Sequence, residues 1–487
     1  MKRNKFSLSH YKLTTADMGN LIPISCYEVL PGDTVQQNTS ALIRCTPLAT
    51  PPMHPVKISI HHWYVPTRIL WDGFEDFITG GDYGSVPPVH PFMVASGGWA
   101  AGTLADHFGL PLNVNNLTHS ALPFRAYAKI FNDQYRDQDL TAELPISYGD
   151  GADSTTNTLL QSSNWQSDYF TKARPWPQKS PDITIPMGAT TGTGQNPKIR
   201  WSGNANPTAL QASPGNAITY GGGATATPTQ WYWDKPEVQV NGGTINQLRE
   251  AFALQRYAEA RARYGSRYTE YLRFLGISSS DARLQRPEFC GGGKTTLQFS
   301  EVLQTGPSSE DGSQTVGQMF GHGMGSVRSN RFRRFFEEHG FVITLMQIMP
   351  KPIYSQGMER MWSRADKEDY YQRELEHIGQ QPISQREIYV SDADPAGAAV
   401  FGYTNRYQEY RQKFSEVSNG FRPGSLYDDW TFSRAFTQAP VLNDSFLRGA
   451  VTKRPFADQS NNTLLIMARH SIQARRMMSK TAQSYVL

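Results

Sequence analysis

The run Val56-Lys57-Ile58-Ser59-Ile60-His61-His62-Trp63-Tyr64-Val65, halted by Pro66, constrains this chain most. Its β-branched and aromatic residues predict a strand, and the proline ends it. Similar runs recur far away. Further strands are expected over 35–45, 341–348, 386–390, 426–432 and 463–468. Turn chemistry such as Leu30-Pro31-Gly32-Asp33 separates them. Strands this far apart need long connections, which points to a sandwich or barrel whose loops have grown large. Composition agrees. Charged residues make up 18% and aromatics 12%, with 41 Gly and 31 Pro, so the chain leans to β structure and is too aromatic for disorder.

Two helices interrupt the pattern. One is expected over 122–135. The other runs over 245–275, capped by Thr244, with a stripe of Leu248, Phe252, Tyr257, Tyr264, Tyr268, Tyr271, Leu272 and Leu275. Gly265 divides it into two pieces. Its arginines, Arg249, Arg256, Arg261, Arg263, Arg267 and Arg273, read either as a salt-bridged face or as a nucleic-acid contact. The stretch 149–240 differs in kind. It is polar and Gly-rich yet holds Trp165, Trp176, Trp201, Trp231 and Trp233. It reads as a large surface insertion in a single domain spanning 1–487, and insertions of this sort carry recognition.

The sequence shows no catalytic constellation. Gly291-Gly292-Gly293-Lys294-Thr295 lacks the first glycine of a phosphate loop, where Glu288 stands, so three glycines predict a turn. His61 and His62 are strand neighbours on opposite faces and do not converge on one metal. Asp428 and Asp429 read the same way. Cys26, Cys45 and Cys290 form no CxxC pair, and reduced buried thiols are expected. No apolar run approaches a membrane span and no secretory signal is expected, which implies synthesis in a cytoplasm. No catalytic residue, metal or cofactor is expected.

Basic patches are the positive signal. Lys2, Arg3, Lys5 and Lys12 lie in a mobile basic arm, residues 1–20. Arg328, Arg331, Arg333 and Arg334 form a second patch, and Arg469, His470, Arg475, Arg476 and Lys480 a third. Each can track a phosphate backbone by charge, or be an exposed edge or a salt-bridged interface. Net charge is only +4, so any nucleic-acid contact is local.

Distributed strings then resemble a known family. They include Pro31-Gly32-Asp33-Thr34, Trp63-Tyr64-Val65-Pro66-Thr67-Arg68, Leu122-Pro123-Phe124-Arg125-Ala126-Tyr127, Phe131-Asn132-Asp133-Gln134-Tyr135, Ala282-Arg283-Leu284-Gln285-Arg286-Pro287, His377-Ile378-Gly379-Gln380-Gln381-Pro382 and Arg406-Tyr407-Gln408-Glu409-Tyr410. Spread in order from about 25 to 435, they resemble the major capsid protein of the Microviridae, the gokushovirus-like branch above all. The 149–240 stretch and both ends match little.

The resemblance implies an eight-stranded antiparallel jelly-roll barrel, mainly β, with long loops, a few helices and the insertion on its surface. It implies a T=1 icosahedral homo-oligomer around circular single-stranded DNA, in a virion assembled in a bacterial cytoplasm. The partners it implies are a small basic DNA-packaging protein, a spike or pilot protein, and a host cell-surface receptor met by the insertion tryptophans. The runner-up is a carbohydrate-binding or carbohydrate-cleaving β-sandwich, since tryptophan faces stack on sugars. A third reading, a nucleic-acid enzyme, has only the basic patches and lacks a metal-ligand cluster.

Overall fold

The computed structural model describes residues 3–81, 86–181, 183, four short strands within 198–234, then 244–264, 267–277, 280, 285–305, 317 and 319–480. Ten strands form one antiparallel sheet: β1 (Asn4–Ser7), β2 (His10–Ala16), β3 (Leu21–Val29), β4 (Thr34–Cys45), β5 (Val56–Pro66), β6 (Glu288–Leu303), β7 (Met319–Arg328), β8 (Phe332–Phe335), β9 (Gly340–Pro350) and β10 (Leu464–Arg476). Eight lie on one path, β1-β10-β4-β7-β6-β5-β9-β3, while β2 pairs β10 and β8 pairs β4. The sheet curls on itself. Ile22 and Ile24 of β3 share one core cluster with Ile43 of β4, Ile58 of β5, Leu297 of β6 and Ile466 and Ala468 of β10. This is the expected mainly β, jelly-roll-like barrel with long loops and a few helices.

Two halves of the sheet differ. In β9 nearly every residue is buried, and in β3 and β5 most are, because both faces are covered. The outer cover is helix α1 (Leu122–Ile130), continued by one wider turn, Phe131–Tyr135. Phe124, Tyr127 and Phe131 pack there against Trp63, Val65, Phe341 and Ile343. In β4 and β10 burial alternates, so one face meets the core and the other meets solvent.

The curl closes without a backbone ladder. Among the described residues none joins β3 to β2 or β10. Side chains reach the carbonyls of β3 instead. Tyr127 donates to Leu21 O at 2.8 Å and Lys12 Nζ to Pro23 O at 3.2 Å. His470 Nε2 donates to Ile24 O at 3.0 Å, and an Arg476 Nη to Glu28 O at 2.8 Å. Behind them runs a buried polar chain. His470 Nδ1 accepts from Thr39, and Gln37 donates to Thr39 and to Thr344, which bonds His62 Nδ1 at 2.9 Å.

Several expectations are corrected. The arm expected to be mobile forms β1 and β2, laid against β10. Gly291–Gly293 lie within β6, not in a turn. A Cβ on Gly292 would sit 2.3 Å from Ile60 O, and one on Gly293 2.4 Å from Arg328 O, so close strand approach requires glycine. Over 386–390 there is no strand: one ends at Ser384, and Ser384 with Glu387 makes a capping box that turns the chain. Over 426–432 there is a single tight turn, Asp428–Trp430, so Asp428 and Asp429 are not strand neighbours. The long helix does fall into two pieces as expected, α2 (Ile245–Tyr264) and α3 (Tyr268–Phe274), on either side of Gly265, which lies outside the described residues. Leu248, Phe252 and Tyr257 are exposed, while Ala251 and Ala258 are buried.

The chain divides into two compact units, Gln178–Arg261 and the remainder. The smaller unit holds a four-stranded sheet of Lys198–Trp201, Thr208–Ala212, Ile218–Tyr220 and Trp231–Asp234. Its start differs from the 149 expected, because residues 149–177 belong to the larger unit. Ser163 N donates to Gly19 O at 2.7 Å, and Trp165 N to Leu447 O at 2.9 Å. Asp153 meets Arg125 at 2.8 Å with both side chains fully buried. Burial opposes the Asp153 charge, but bonds from Thr156 and Arg125 outweigh it and hold the carboxyl below its usual range. Arg125 also donates to Leu70 O and Gly149 O, so each of its three nitrogens makes a hydrogen bond.

Two outcomes follow from this packing. Asp153→Ala strands the Arg125 charge and should cost about 3–5 kcal/mol in a denaturant melt. Burial lowers His62 to about 3 and His54, His61 and His470 to about 4, all below the ordinary 6.5. The unfolded chain therefore binds more protons between pH 6.5 and 4, and stability is lost as pH falls through that window. Each histidine adds a slope of up to about 1.4 kcal/mol per pH unit. His62→Gln should flatten the pH dependence of the urea midpoint, whatever it does to the midpoint at pH 7.

Candidate nucleic-acid interface

The solvent face of the alternating half-sheet carries one sign of charge. Its outward positions are Lys5 and Ser7 on β1, and Leu465, Met467, Arg469, Ser471, Gln473 and Arg475 on β10. On β4 they are Gln36, Asn38, Ser40, Leu42 and Arg44. On β7 they are His322, Met324, Ser326 and Arg328. Register confirms the shared face: Lys5 lies opposite Arg475, Arg469 opposite Ser40, Ser40 opposite Arg328, and Arg333 of β8 opposite Gln36. Lys294 is exposed on neighbouring β6. None of these positions is Asp or Glu. Among the described residues none of these Lys or Arg side chains is ion-paired. Neighbouring strands lie about 4.8 Å apart, so such cations repel unless an anion covers them.

The candidate residues divide. Lys5, Arg331, Arg333 and Arg475 are exposed on or beside this face. Arg3 is exposed too, stacked over Phe335 at 5.0 Å. Three others are used inside the fold. Lys12 donates to the carbonyls of Pro23 and His107, and burial lowers it to about 8. Arg334 is ion-paired with buried Glu288. Arg476 holds Asp33 at 2.9 Å, and that carboxylate is 1% exposed. Lys2 lies outside the described residues. His470, read as part of a basic patch, is neutral and buried in the closure. Arg44 and Lys294 were missed, although the apolar–polar alternation over 34–45 places Arg44 with Gln36 and Asn38.

The tryptophans divide as well. Trp165 is 6% exposed and lies under the Arg434 guanidinium at 5.0 Å, so it is core and not a recognition surface. Trp176 is half-buried. Trp201 and Trp231 occupy paired positions of the small sheet, with Trp233 two residues on; their side chains lie outside the described residues. Burial raises all three cysteine thiols to about 12, which makes them poor nucleophiles. Among the described residues no cluster of His, Cys, Asp and Glu is fit to hold a metal ion, and no helix is long and apolar enough to cross a membrane.

Arg476→Ala should lower the melting temperature by several degrees, because it leaves Asp33 buried and unpaired. Arg475→Ala, one residue earlier but outward, should change stability by no more than about 0.5 kcal/mol. Thermal melts of the two variants check the division.

Comparison with known proteins places these features in context. A family model described as "Capsid protein (F protein)" matches residues 1–486. Capsid protein VP1 of Chlamydia phage 1 is 33% identical, over 92% of this chain and 89% of that protein. VP1 of Bdellovibrio phage phiMH2K is 34% identical, over 93% and 90%. VP1 of Spiroplasma virus 4 is 31% identical, over 92% and 87%.

Proposed function

This chain belongs to the capsid protein (F protein) family, and we infer from it that copies of the chain form the virion shell of a small single-stranded DNA bacteriophage. The match along residues 1–486 carries this reading, since it spans the whole barrel and its loops. The role is structural. Shell building needs self-complementary surfaces, and exposed Trp362, Leu426 and Val441 on the long loops are suited to them.

We further propose a closed T=1 icosahedral arrangement in which the carboxylate-free sheet face lines the genome chamber. Lys5, Arg331, Arg333 and Arg475 then meet phosphates of a circular single-stranded genome, without reading sequence. A small basic packaging protein supplies the rest of the neutralisation, and a spike or pilot protein completes the particle. The unit at 178–261 stands on the exterior, where it meets a host cell-surface receptor. Assembly takes place in the bacterial cytoplasm. The carbohydrate-sandwich alternative loses support with Trp165, which is buried beneath Arg434.

Expression of the full chain should give closed particles in electron micrographs. A chain that stays monomeric across salt and pH would overturn the shell reading. Particles of an Arg333→Glu/Arg475→Glu variant should retain less DNA than wild type, read as the 260/280 nm absorbance ratio. Unchanged DNA content would reject the orientation of the face.

A further inference from the structure

Two surfaces of the larger unit carry opposite charge and leave opposite ends of one strand pair. β5 and β9 run antiparallel, with Pro66 opposite Gly340 and Val56 opposite Pro350. Those two ends lie about 33 Å apart, at roughly 3.3 Å per residue. Beyond Pro66 the chain makes a short helix, Phe74–Thr79, none of whose residues is buried. It is held at that end of the pair. Phe74 meets the His339 ring at 5.5 Å, Phe77 packs on buried Trp71, and Arg68 pairs with Glu338 at 2.6 Å. The helix presents Glu75 and Asp76 beside exposed Phe77 and Ile78, with exposed Asp72 just before it. Among the described residues none of these three carboxylates has a hydrogen-bond or ion-pair partner.

Beyond Pro350, at the other end, the chain folds back so that Met358 N donates to Arg386 O at 2.9 Å. A cleft of about 390 Å³ opens there, lined by Arg360, Ser363, Arg364 and Arg386. Its two acids are already engaged. Asp369 accepts from the Ala365 and Asp366 amides, and Glu387 accepts from Ser384 N and the Tyr169 hydroxyl. The donors are less fully used. Arg360 has no carboxylate closer than 3.6 Å, and Arg364 reaches Glu409 only at 3.5 Å. Among the described residues the Arg386 side chain has no hydrogen-bond or ion-pair partner, and Ser363 Oγ and Arg364 Nε are buried without one. Aromatic rings flank the cleft. Trp362, next to Ser363, is 71% exposed, and the Arg364 guanidinium lies over exposed Tyr410 at 4.5 Å and Tyr370 at 5.3 Å. Exposed Trp and Tyr around unpaired Arg is the composition of an interface centre.

We propose that the acidic helix of one copy docks into the arginine cleft of the next. The Glu75 and Asp76 carboxylates pair with Arg386 and Arg364, and Phe77 and Ile78 cover Trp362 and Tyr410. Arginine forks suit carboxylates bidentately, and donors left idle within one copy gain partners only in the assembly. The two patches differ and stand a strand length apart, so the contact runs head to tail between copies. A head-to-tail contact leaves one patch of each kind unfilled until a ring closes, which suits a closed shell. The inference rests on the shell reading. It goes beyond it by naming the surfaces that join two copies and their polarity.

The test uses the full-length chain, with the particle fraction read by sedimentation and folding read by thermal melts. Glu75→Lys/Asp76→Lys and, separately, Arg386→Glu should each cut the particle fraction at least about tenfold, because like charges then face each other across the contact. The melting temperature should stay within about 2 °C for the exposed helix positions. One chain carrying all three reversals should recover particles, since each contact again pairs opposite charges. Wild-type assembly of the single-surface variants overturns the docking, and so does a folded triple variant that fails to recover. A second measurement does not depend on charge reversal. Particles of Ile78→Cys/Trp362→Cys, oxidised and run on a non-reducing gel, should give a ladder extending past the dimer. Dimers alone, or no cross-link, overturn the head-to-tail contact. Wild-type chain that forms no particles at all refutes the shell reading itself, an outcome distinct from particles that tolerate these reversals.

Discussion

The barrel depends on how the free edge of β3 is closed. An edge strand presents unpaired carbonyls and amides, and an open one invites another chain to pair with it. Here Tyr127, Lys12, His470 and Arg476 occupy the carbonyls of that edge, and Pro23 removes one amide from it. The donors come from α1, β2 and β10, so the first strands, the last strand and the packing helix are all needed to complete one seam. A side-chain seam tolerates what a ladder does not. It lets β3 bulge between Ser25 and Pro23 while the rest of its register with β9 is kept. It also fixes protonation: His470 must be neutral, with its proton on Nε2, to bond Ile24 O and accept from Thr39 at once.

The seam explains why charge in the terminal segments misleads when read as sequence. Arg476 looks like its neighbour Arg475, and Lys12 like Lys5 in the strand before it. In a strand, successive residues face opposite ways, so adjacent basic residues have opposite fates. One set is consumed in closure and the other is left in solvent. Alternation over 34–45 and 464–476 is clear once the strands are known to pair. Without partners, a run such as Ala468-Arg469-His470-Ser471-Ile472-Gln473-Ala474-Arg475-Arg476 reads as a basic tail.

What was legible was what is buried on both faces. β5, β9 and α1 announce themselves as segments dense in apolar and aromatic residues, because covering both sides demands it. Three of the family strings were legible for the same reason: 122–127 lies on α1, Phe131–Tyr135 is its exit turn, and 63–65 lies within β5. Less legible were β6 and β7, whose glycines look like turns but mark where Ile60 and Arg328 carbonyls pass too close for a Cβ. Trp165 resembled the other tryptophans of a polar stretch. Its burial depends on Arg434, which is far off in sequence and packs on Trp165 and Phe446 together. No local pattern encodes that contact.

Charge balance was the least informative number and charge placement the most. The chain carries 47 basic and 43 acidic residues. Several acids are spent in loops, where Asp137 and Asp139 take Arg174, Glu387 and Glu409 take Arg360, and Asp428 takes Arg454. Those pairs rigidify long connections that have little core of their own. No carboxylate stands at the outward positions of β1, β4, β7 and β10. A surface potential follows from local sign, not net charge, and falls off within about 8–10 Å at physiological salt. Each copy therefore presents a short-range cationic platform without the chain being strongly basic, and a shell repeats that platform wherever the barrel is repeated. Self-repulsion across one such platform is modest in free subunits because water screens it. Covering the platform with a polyanion relieves that repulsion, since the opposite charge then lies within a few ångströms of each cation.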